Sequence, residues 1–349
     1  MAHQAPRSSN STDELNPGPG AGLPTRMRAI LQTAYGDADN LTVTEIEKPD
    51  ISANGVLVRV HAASLHAGDI VLMRGNPYPA RFMAGWPRPR RNFVPGQSVS
   101  GVVEAVGVNV TGLKPGDEVF GECKGAFAEF ALGSEKTLVA KPSSLTFAQA
   151  AAIPTSALTA QHGLRDAAKV EPGQRVLING ASGGVGIYAV QIAKALGAAV
   201  TGVCGPVNVS MVRGLGADRV IDYTTENFTG SSETYDVIFD TVGNHSFGDL
   251  RRALSPNGVV VPIGKASVSS MVAGMIRSLF TPQKDVRFLS TVNRQDLLVI
   301  AELAETRKLA TVIDRTYPLD RTPEAMTYVA SRHAKGKVVI LVTSDATNA

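Results

Sequence analysis

The chain has 349 residues, 44% of them hydrophobic, and its 34 basic and 31 acidic side chains leave a net charge of +3. That length and apolar content supply about two domain cores. The near-balance of charge provides no general field for nucleic acid or an anionic membrane, and no apolar run reaches the roughly 18 residues of a spanning helix.

Residues 1–26 are rich in Pro, Gly, Ser and Asn, contain Asp13 and Glu14, and hold no hydrophobic stretch. They read as a disordered extension that resembles neither a secretory signal nor a transit peptide, with Met27 as the effective start of the fold. The two cysteines, Cys123 and Cys204, are too few for a disulfide framework and point to a reducing, cytoplasmic setting. From Met27 to about Lys141, apolar or alternating runs such as GVLVRVHAAS and VSGVVEAVG are punctuated by turn signals such as KPGD. This predicts a barrel-like or partly open β domain. The Pro- and Arg-rich stretch RGNPYPARFMAGWPRPRRNFVPGQ interrupts it and is too irregular for core, which makes it a candidate active-site wall.

LTFAQAAAIPTSALTAQHGL reads as connecting helices, and beyond it the pattern changes. The strand-like runs RVLIN, AVTGVC, RVID, DVIFD and GVVVPIG are separated by helix-period segments, which predicts an α/β unit with a parallel sheet covered by helices. KVVILVT, Lys337 to Thr343, reads as a strand that returns the chain to the first domain or to the sheet edge. SSMVAGMIRSLF, Ser269 to Phe280, is apolar on several faces and reads as a lid, a dimer contact or core; a lid of this kind favours a bulky apolar substrate.

Gly180, Gly183, Gly184 and Gly186 follow RVLIN and open a helix whose Val185, Ala189, Ile192, Ala193 and Leu196 keep helical spacing. In that context glycines let the backbone turn tightly and approach a pyrophosphate, while helix N–H groups face its negative charge. At the end of the second strand a carboxylate would bind an adenosine ribose and repel a 2′-phosphate. The chain has Cys204, Gly205, Pro206, Val207 and Asn208 there, and the missing acid favours NADP(H) over NAD(H). Asn208 and Tyr223 are candidate hydrogen-bonding groups near that phosphate, and Lys335 or Lys337 candidate cations. Each also reads as an ordinary cap, sheet-edge or solvent residue.

The pieces AASLHAGD, VPGQSVSGVVEAVG, LKPGDEVFGE, AAAIPTSALTA, VLINGASGGVG, GADRVIDY, FDTVGN and AKGKVVI occur in this order over about Met27 to Thr343. In them the chain resembles the medium-chain dehydrogenase/reductase superfamily, in its zinc-independent, quinone oxidoreductase-like (zeta-crystallin-like) branch. The resemblance implies a Rossmann-type NADP-binding domain at residues 150–290 and a β-rich, GroES-like catalytic domain split between residues 27–149 and 291–349, with the site in the cleft between them. It implies cofactor contacts from Thr155, from Gly180, Ser182, Gly183, Gly184, Val185 and Gly186 in the turn, and from Cys204, Asn208 and Tyr223. Further contacts are implied from Val242 in FDTVGN, from Ile263 and Gly264 closing GVVVPIG, and from Lys337 in AKGKVVI. A homodimer joined through edge strands of the nucleotide domains is implied as well.

Zinc-dependent members of the superfamily hold the catalytic metal with a cysteine, a histidine followed by glutamate, and a third ligand. The matching places here carry His66, Gln97 followed by Ser98, and about Thr155, and Cys123 stands where a structural site would need four cysteines. That donor set builds no tetrahedral zinc site, so no metal is expected. A metal-free site must stabilise developing charge with hydrogen-bond donors or take substrates that need less help. Small apolar electrophiles fit: quinones and α,β-unsaturated carbonyls spread the charge of an added hydride into a hydroquinone anion or an enolate.

His66 is the first candidate proton donor, because imidazole as a residue type donates to an oxyanion and exchanges protons near neutrality. The branch often carries asparagine there, and the other reading is a polar residue at a strand end. Asp69 either orients His66 or caps the next helix. Tyr78 either donates its phenolic proton or supplies apolar wall area. Arg88, Arg90 and Arg91 form a solvated face or attract an acidic substrate. The expectation is an NADPH-dependent, zinc-independent oxidoreductase acting on a quinone or enone. Two rivals stay open: an alcohol dehydrogenase or enoyl reductase of the same superfamily, and a weakly catalytic NADPH-binding scaffold or sensor.

Overall fold

The computed structural model describes residues 25–263 and 282–343. Most of the N-terminal extension, Gly264, and the lid or interface segment Ser269 to Phe280 lie outside the described residues.

A hairpin of Arg26–Gln32 and Leu41–Glu47 opens the fold. The larger β unit is a seven-stranded sheet running Ile313–Pro318, Lys337–Leu341, Val56–Leu65, Ser98–Val106, Glu118–Glu122 and Leu138–Ala140, with Phe130–Gly133 also paired to Val56–Leu65. The strand VLVRVHAASL is buried at every position but Arg59, because apolar clusters close on both of its faces. Val56, Val58 and Val60 pack with Val99, Val119 and Ile340, whereas Leu57 meets Met27 and Phe130, and Ala62 meets Phe147 and Val339. Alternate side chains thus enter different clusters, as the two-residue period of a strand requires.

The second sheet is six-stranded and parallel, in the order Arg219–Asp222, Ala199–Cys204, Arg175–Asn179, Tyr235–Asp240, Leu254–Pro262 and Lys284–Asp285. Its strands read as continuous apolar runs because both faces are covered. Val176 and Ile178 pack with Ile187 and Val190 on one side, and Leu177 with Ile221 and Leu250 on the other. The chain enters at Arg175–Asn179, builds outward to Arg219–Asp222, then crosses back to Tyr235–Asp240. That reversal opens a crevice at the carboxyl ends of the two central strands, where ligands of open α/β sheets bind.

KVVILVT returns to the first sheet, with Val338 opposite Leu65. The return is later than the boundary read at residue 290. Leu297, Ile300 and Ala304 of the helix Arg294–Glu305 share a core cluster with Val176, Ile178 and Tyr188, and the chain rejoins the seven-stranded sheet only at Ile313. An amphipathic helix buries its stripe against the nearest apolar surface, which here is the parallel sheet's helical layer. A buried polar cluster holds this helix. His162 Nε2 lies 2.8 Å from Asp296 Oδ2 and its Nδ1 2.9 Å from Ser290 Oγ, while Arg165 Nη1 and Gln161 Nε2 donate to Asp296 Oδ1 at 2.6 and 2.9 Å. An open hollow of about 430 Å3 beside it is lined by His162, Phe288, Asn293 and Asp296 and includes no residue of the glycine turn.

Candidate active site

The glycine turn sits in the crevice, between the strand Arg175–Asn179 and the helix Gly186–Ala195. Gly180 has φ +81°, and a Cβ on it would lie 2.7 Å from Val242 Cγ2. A Cβ on Gly186 would overlap Gly180 O and lie 2.8 Å from Ala181 Cα. Those two glycines are required by the turn itself. Gly184 differs, since a Cβ there would stand 3.4 Å from Gly336 O and 3.5 Å from Lys337 Cδ, close to ordinary contact. The fold itself therefore leaves room for a methyl group at Gly184.

Two buried groups at the ends of the central strands fix the crevice floor. Asn179 Nδ2 donates to Asp240 Oδ1 at 2.8 Å and to Asn244 Oδ1 at 3.0 Å. Asp240 Oδ1 also accepts from Val242 N at 3.1 Å and Gly243 N at 3.0 Å, and Asp240 O accepts from Ile263 N at 2.8 Å. Val242 and Ile263 therefore hang from one aspartate. Sequence reading missed Asn179 and Asp240; the available signal was a polar residue ending each of two apolar strands.

At the outer edge of the turn, Asn208 Nδ2 donates to Ser182 Oγ at 3.3 Å, Tyr223 N donates to Cys204 O at 3.2 Å, and the Tyr223 hydroxyl stands over Gly205. The nearest acid, Asp222, is opposite Cys204 in register but is turned to Thr224, whose N and Oγ1 donate to it at 2.9 and 2.8 Å. Burial, with Asp222 nearby, pushes the Cys204 thiol up to about 11, so it stays protonated and unreactive.

Lys337 joins the turn to a second polar group. Gly336 N donates to Ser182 O at 2.8 Å, and Lys337 Nζ donates to Leu65 O at 2.9 Å and Ser156 Oγ at 2.8 Å. The aliphatic stem of Lys337 thus passes beneath Gly184 and its ammonium lies between Leu65 and Ser156, not at the Asn208–Tyr223 edge suggested for a 2′-phosphate cation. Strand pairing with Val56–Leu65 carries it there. Burial pulls Lys337 down to about 8, against the opposing pull of Asp69.

His66 follows Leu65 and precedes the helix Ala67–Arg74. Asp69 Oδ2 accepts from His66 N at 2.8 Å, which caps that helix, and lies 3.6 Å from His66 Nε2. His66 Nε2 and Asp69 Oδ1 are buried without a hydrogen-bond partner. An imidazole edge left in this state is a ready contact for a polar atom of a substrate or water.

Thr155 stands in the first turn of the helix Pro154–Gln161, next to Ser156. Its Oγ1 donates to Glu122 Oε1 at 2.7 Å and is 2.6 Å from Ser98 Oγ. Ser98 and Glu122 are neighbours across the sheet; from sequence Ser98 was noted only as following Gln97 and Glu122 was not singled out, although both sit in quoted motifs. Tyr78 is separate from this group: it is 65% exposed in a wall with Phe82, Met83 and Trp86. Arg81 lies 4.6 Å from the Tyr78 ring centroid and 4.7 Å from that of Tyr35. The arginines Arg88, Arg90 and Arg91 are exposed beyond the wall.

A parallel sheet with a glycine cradle at its switch point, bridged by a buried lysine to a polar group on a split β domain, defines a dinucleotide-binding two-part enzyme fold. Residues 52–143 match the family model described as alcohol dehydrogenase GroES-like domain, and residues 215–340 the one described as zinc-binding dehydrogenase. The chain is 32% identical to the quinone-oxidoreductase homolog of chloroplasts from Spinacia oleracea, over 90% of this chain and 98% of that protein. It is 32% identical to an NADPH-dependent alkenal/one oxidoreductase of chloroplasts from Arabidopsis thaliana, over 95% of this chain and 84% of that one. The solved quinone oxidoreductase from Coxiella burnetii superposes with a TM-score of 0.81 at 28% identity, covering 91% of this chain and all of that one. The chain belongs to the medium-chain dehydrogenase/reductase superfamily, in its quinone oxidoreductase-like branch.

The residues at the metal positions do not fit the catalytic zinc of other members. Of His66, Gln97 and Thr155 only the imidazole is a usual zinc ligand, the Thr155 hydroxyl is engaged by Ser98 and Glu122, and no group of three metal-ligating side chains comes together among the described residues. No helix among those residues is long and apolar enough to cross a membrane.

Proposed function

We propose that the protein is an NADPH-dependent oxidoreductase that reduces quinones or α,β-unsaturated carbonyls in the crevice between its two sheets. The observation that carries this reading is the glycine cradle, with no acid presented at the end of its second strand, joined through Lys337 to a group of hydrogen-bonding side chains at the former metal positions. The names of the spinach and Arabidopsis relatives agree with both halves of it.

The turn from Gly180 to Gly186 would hold the pyrophosphate, Ser182, Asn208 and Tyr223 the adenosine end, and Thr155, Val242 and Ile263 the nicotinamide end. Bound NADPH supplies a two-electron reductant. The chain's own residues orient and protonate: His66 would donate to the developing oxyanion through Nε2, which has no hydrogen-bond partner and lies 3.6 Å from Asp69 Oδ2, and Asp69 fixes the backbone that carries it. Lys337 adds a cation between Leu65 and Ser156, where it favours the anionic dinucleotide. The exposed aromatic wall of Tyr78, Phe82 and Trp86 suits a flat apolar electrophile.

A homodimer through the short edge strand Lys284–Asp285 and a reducing compartment such as the cytoplasm complete the reading; both cysteines are buried thiols. The test is the initial rate of NADPH and NADH oxidation against quinones, enones and simple ketones. Turnover confined to NADPH with quinones or enones is expected. Turnover of simple ketones alone, or NADPH binding without turnover of any acceptor, would refute it.

A further inference from the structure

The chain of contacts from Ser98 through Thr155 to Glu122 has a defined proton order. A hydroxyl has one proton to donate and two lone pairs with which to accept. The Thr155 proton goes to Glu122 Oε1 at 2.7 Å, so Ser98 Oγ is the donor in its 2.6 Å contact with Thr155. Ser98 is 1% exposed, which keeps its proton on Thr155 and away from water. When Glu122 carries a proton, the direction of its bond reverses. Both lone pairs of Thr155 Oγ1 are then filled, and the Thr155 proton turns to the remaining tetrahedral direction. Glu122 is only half-buried and within reach of solvent. Thr155 adjoins Ser156, which Lys337 ties to Leu65 beside His66.

Building on the reductase reading, we propose that Glu122 and Thr155 form a proton relay that protonates a reduced enone at carbon. Hydride from the nicotinamide forms a C–H bond at the enone β-carbon, which oxidises the nicotinamide and moves the C=C electron pair into an enolate. The α-carbon then bonds to the Thr155 proton as the Oγ–H bond breaks, and Thr155 Oγ1 takes the Glu122 proton in the same movement. Water restores the proton on Glu122. A hydroquinone anion carries its charge on oxygen and takes a proton from water more readily, so the relay matters most for enones. Glu122 touches no reacting atom and acts through Thr155 as a positioning residue and proton store.

Glu122→Gln keeps the shape and can still hydrogen-bond Thr155, but has no acidic proton. The first readout is NMR of α-proton exchange into a saturated ketone in D2O with NADP+ present, the reverse of the protonation step without net turnover. Wild type should exchange, and E122Q at least about tenfold more slowly, within the range of general acid–base effects. The second is the ratio of enone to quinone kcat with NADPH, which should fall at least about tenfold in E122Q. Thr155→Val, which exchanges the hydroxyl for a methyl group, should repeat both losses, and Thr155→Ser, which keeps the hydroxyl, should not. Undiminished exchange in E122Q and T155V, or equal losses on both substrate classes, would overturn the relay. A wild type that oxidises NADPH with neither class strikes the reductase reading instead, and the exchange ratio still decides the relay.

Discussion

Replacing Gly184 and Gly186 separately by alanine adds the same methyl group at two places a few ångströms apart, with opposite expected consequences. At Gly186 the new Cβ overlaps Gly180 O and comes within 2.8 Å of Ala181 Cα, both backbone atoms that side-chain rotation cannot move aside. Overpacking of this kind costs about 1–3 kcal/mol. At about 2–4 °C per kcal/mol for a domain of this size, the melting temperature should drop by roughly 2–12 °C. At Gly184 the nearest atoms are 3.4 and 3.5 Å away, so the apo protein should melt within about 1 °C of wild type. The methyl group instead occupies the surface against which a pyrophosphate would lie. NADPH affinity of Gly184→Ala should therefore fall at least about tenfold, or 1.4 kcal/mol. Calorimetric melting of the apo proteins and fluorescence titration with NADPH measure the two effects. A Gly184→Ala protein that binds NADPH as wild type does would refute the placement of the pyrophosphate on this turn.

Lys337 makes stability depend on alkaline pH. Its proton leaves the folded protein at about 8 against 10.5 unperturbed, and at about 1.4 kcal/mol per pH unit the difference is on the order of 3 kcal/mol. The unfolded chain binds the extra proton between those values, so this contribution rises with pH across the window and is lost as pH falls towards 8. Urea unfolding at several pH values should show the rise in wild type and not in Lys337→Met. Asp296 acts in acid: burial alone would raise its carboxyl, but bonds from Arg165, Asn293 and His162 outweigh it and hold the group below the usual range. Asp296→Asn should cost about 1–3 kcal/mol at neutral pH, a cost that shrinks as pH drops below about 4. A pH-independent difference would disprove the electrostatic account. His66→Ala should lower kcat by about 100-fold with NADPH affinity retained; unchanged turnover would remove His66 from the chemistry.

The local features of the turn were legible because their cause is local. Gly180 and Gly186 are dictated by a tight strand-to-helix turn, and RVLIN followed by helical spacing announces both partners within twenty or so residues. Ser182, Asn208, Cys204 and Tyr223 were each named from sequence, and neighbouring strands of one sheet bring Ser182 to Asn208 and Cys204 to Tyr223. Asp69 also reads correctly as a cap, since capping reaches only three residues along the chain. Lys337 was singled out from sequence but its place was not, because its position depends on the register between two strands more than 270 residues apart in sequence. The helix Arg294–Glu305 was not singled out from sequence, and which sheet receives its apolar stripe is decided by packing.

The sequence by itself determined the class of fold, the dinucleotide turn, the lack of an acid at the end of the second strand and the loss of zinc ligands, because each follows from residue type and short-range periodicity. Only the tertiary structure decided that Asn179 and Asp240 form one crevice floor, that Lys337 is buried beneath Gly184, and that Ser98, Thr155 and Glu122 share a chain of protons. Those groups meet through strand register and sheet packing, and a hydrogen bond depends on tenths of an ångström that no spacing along the chain encodes.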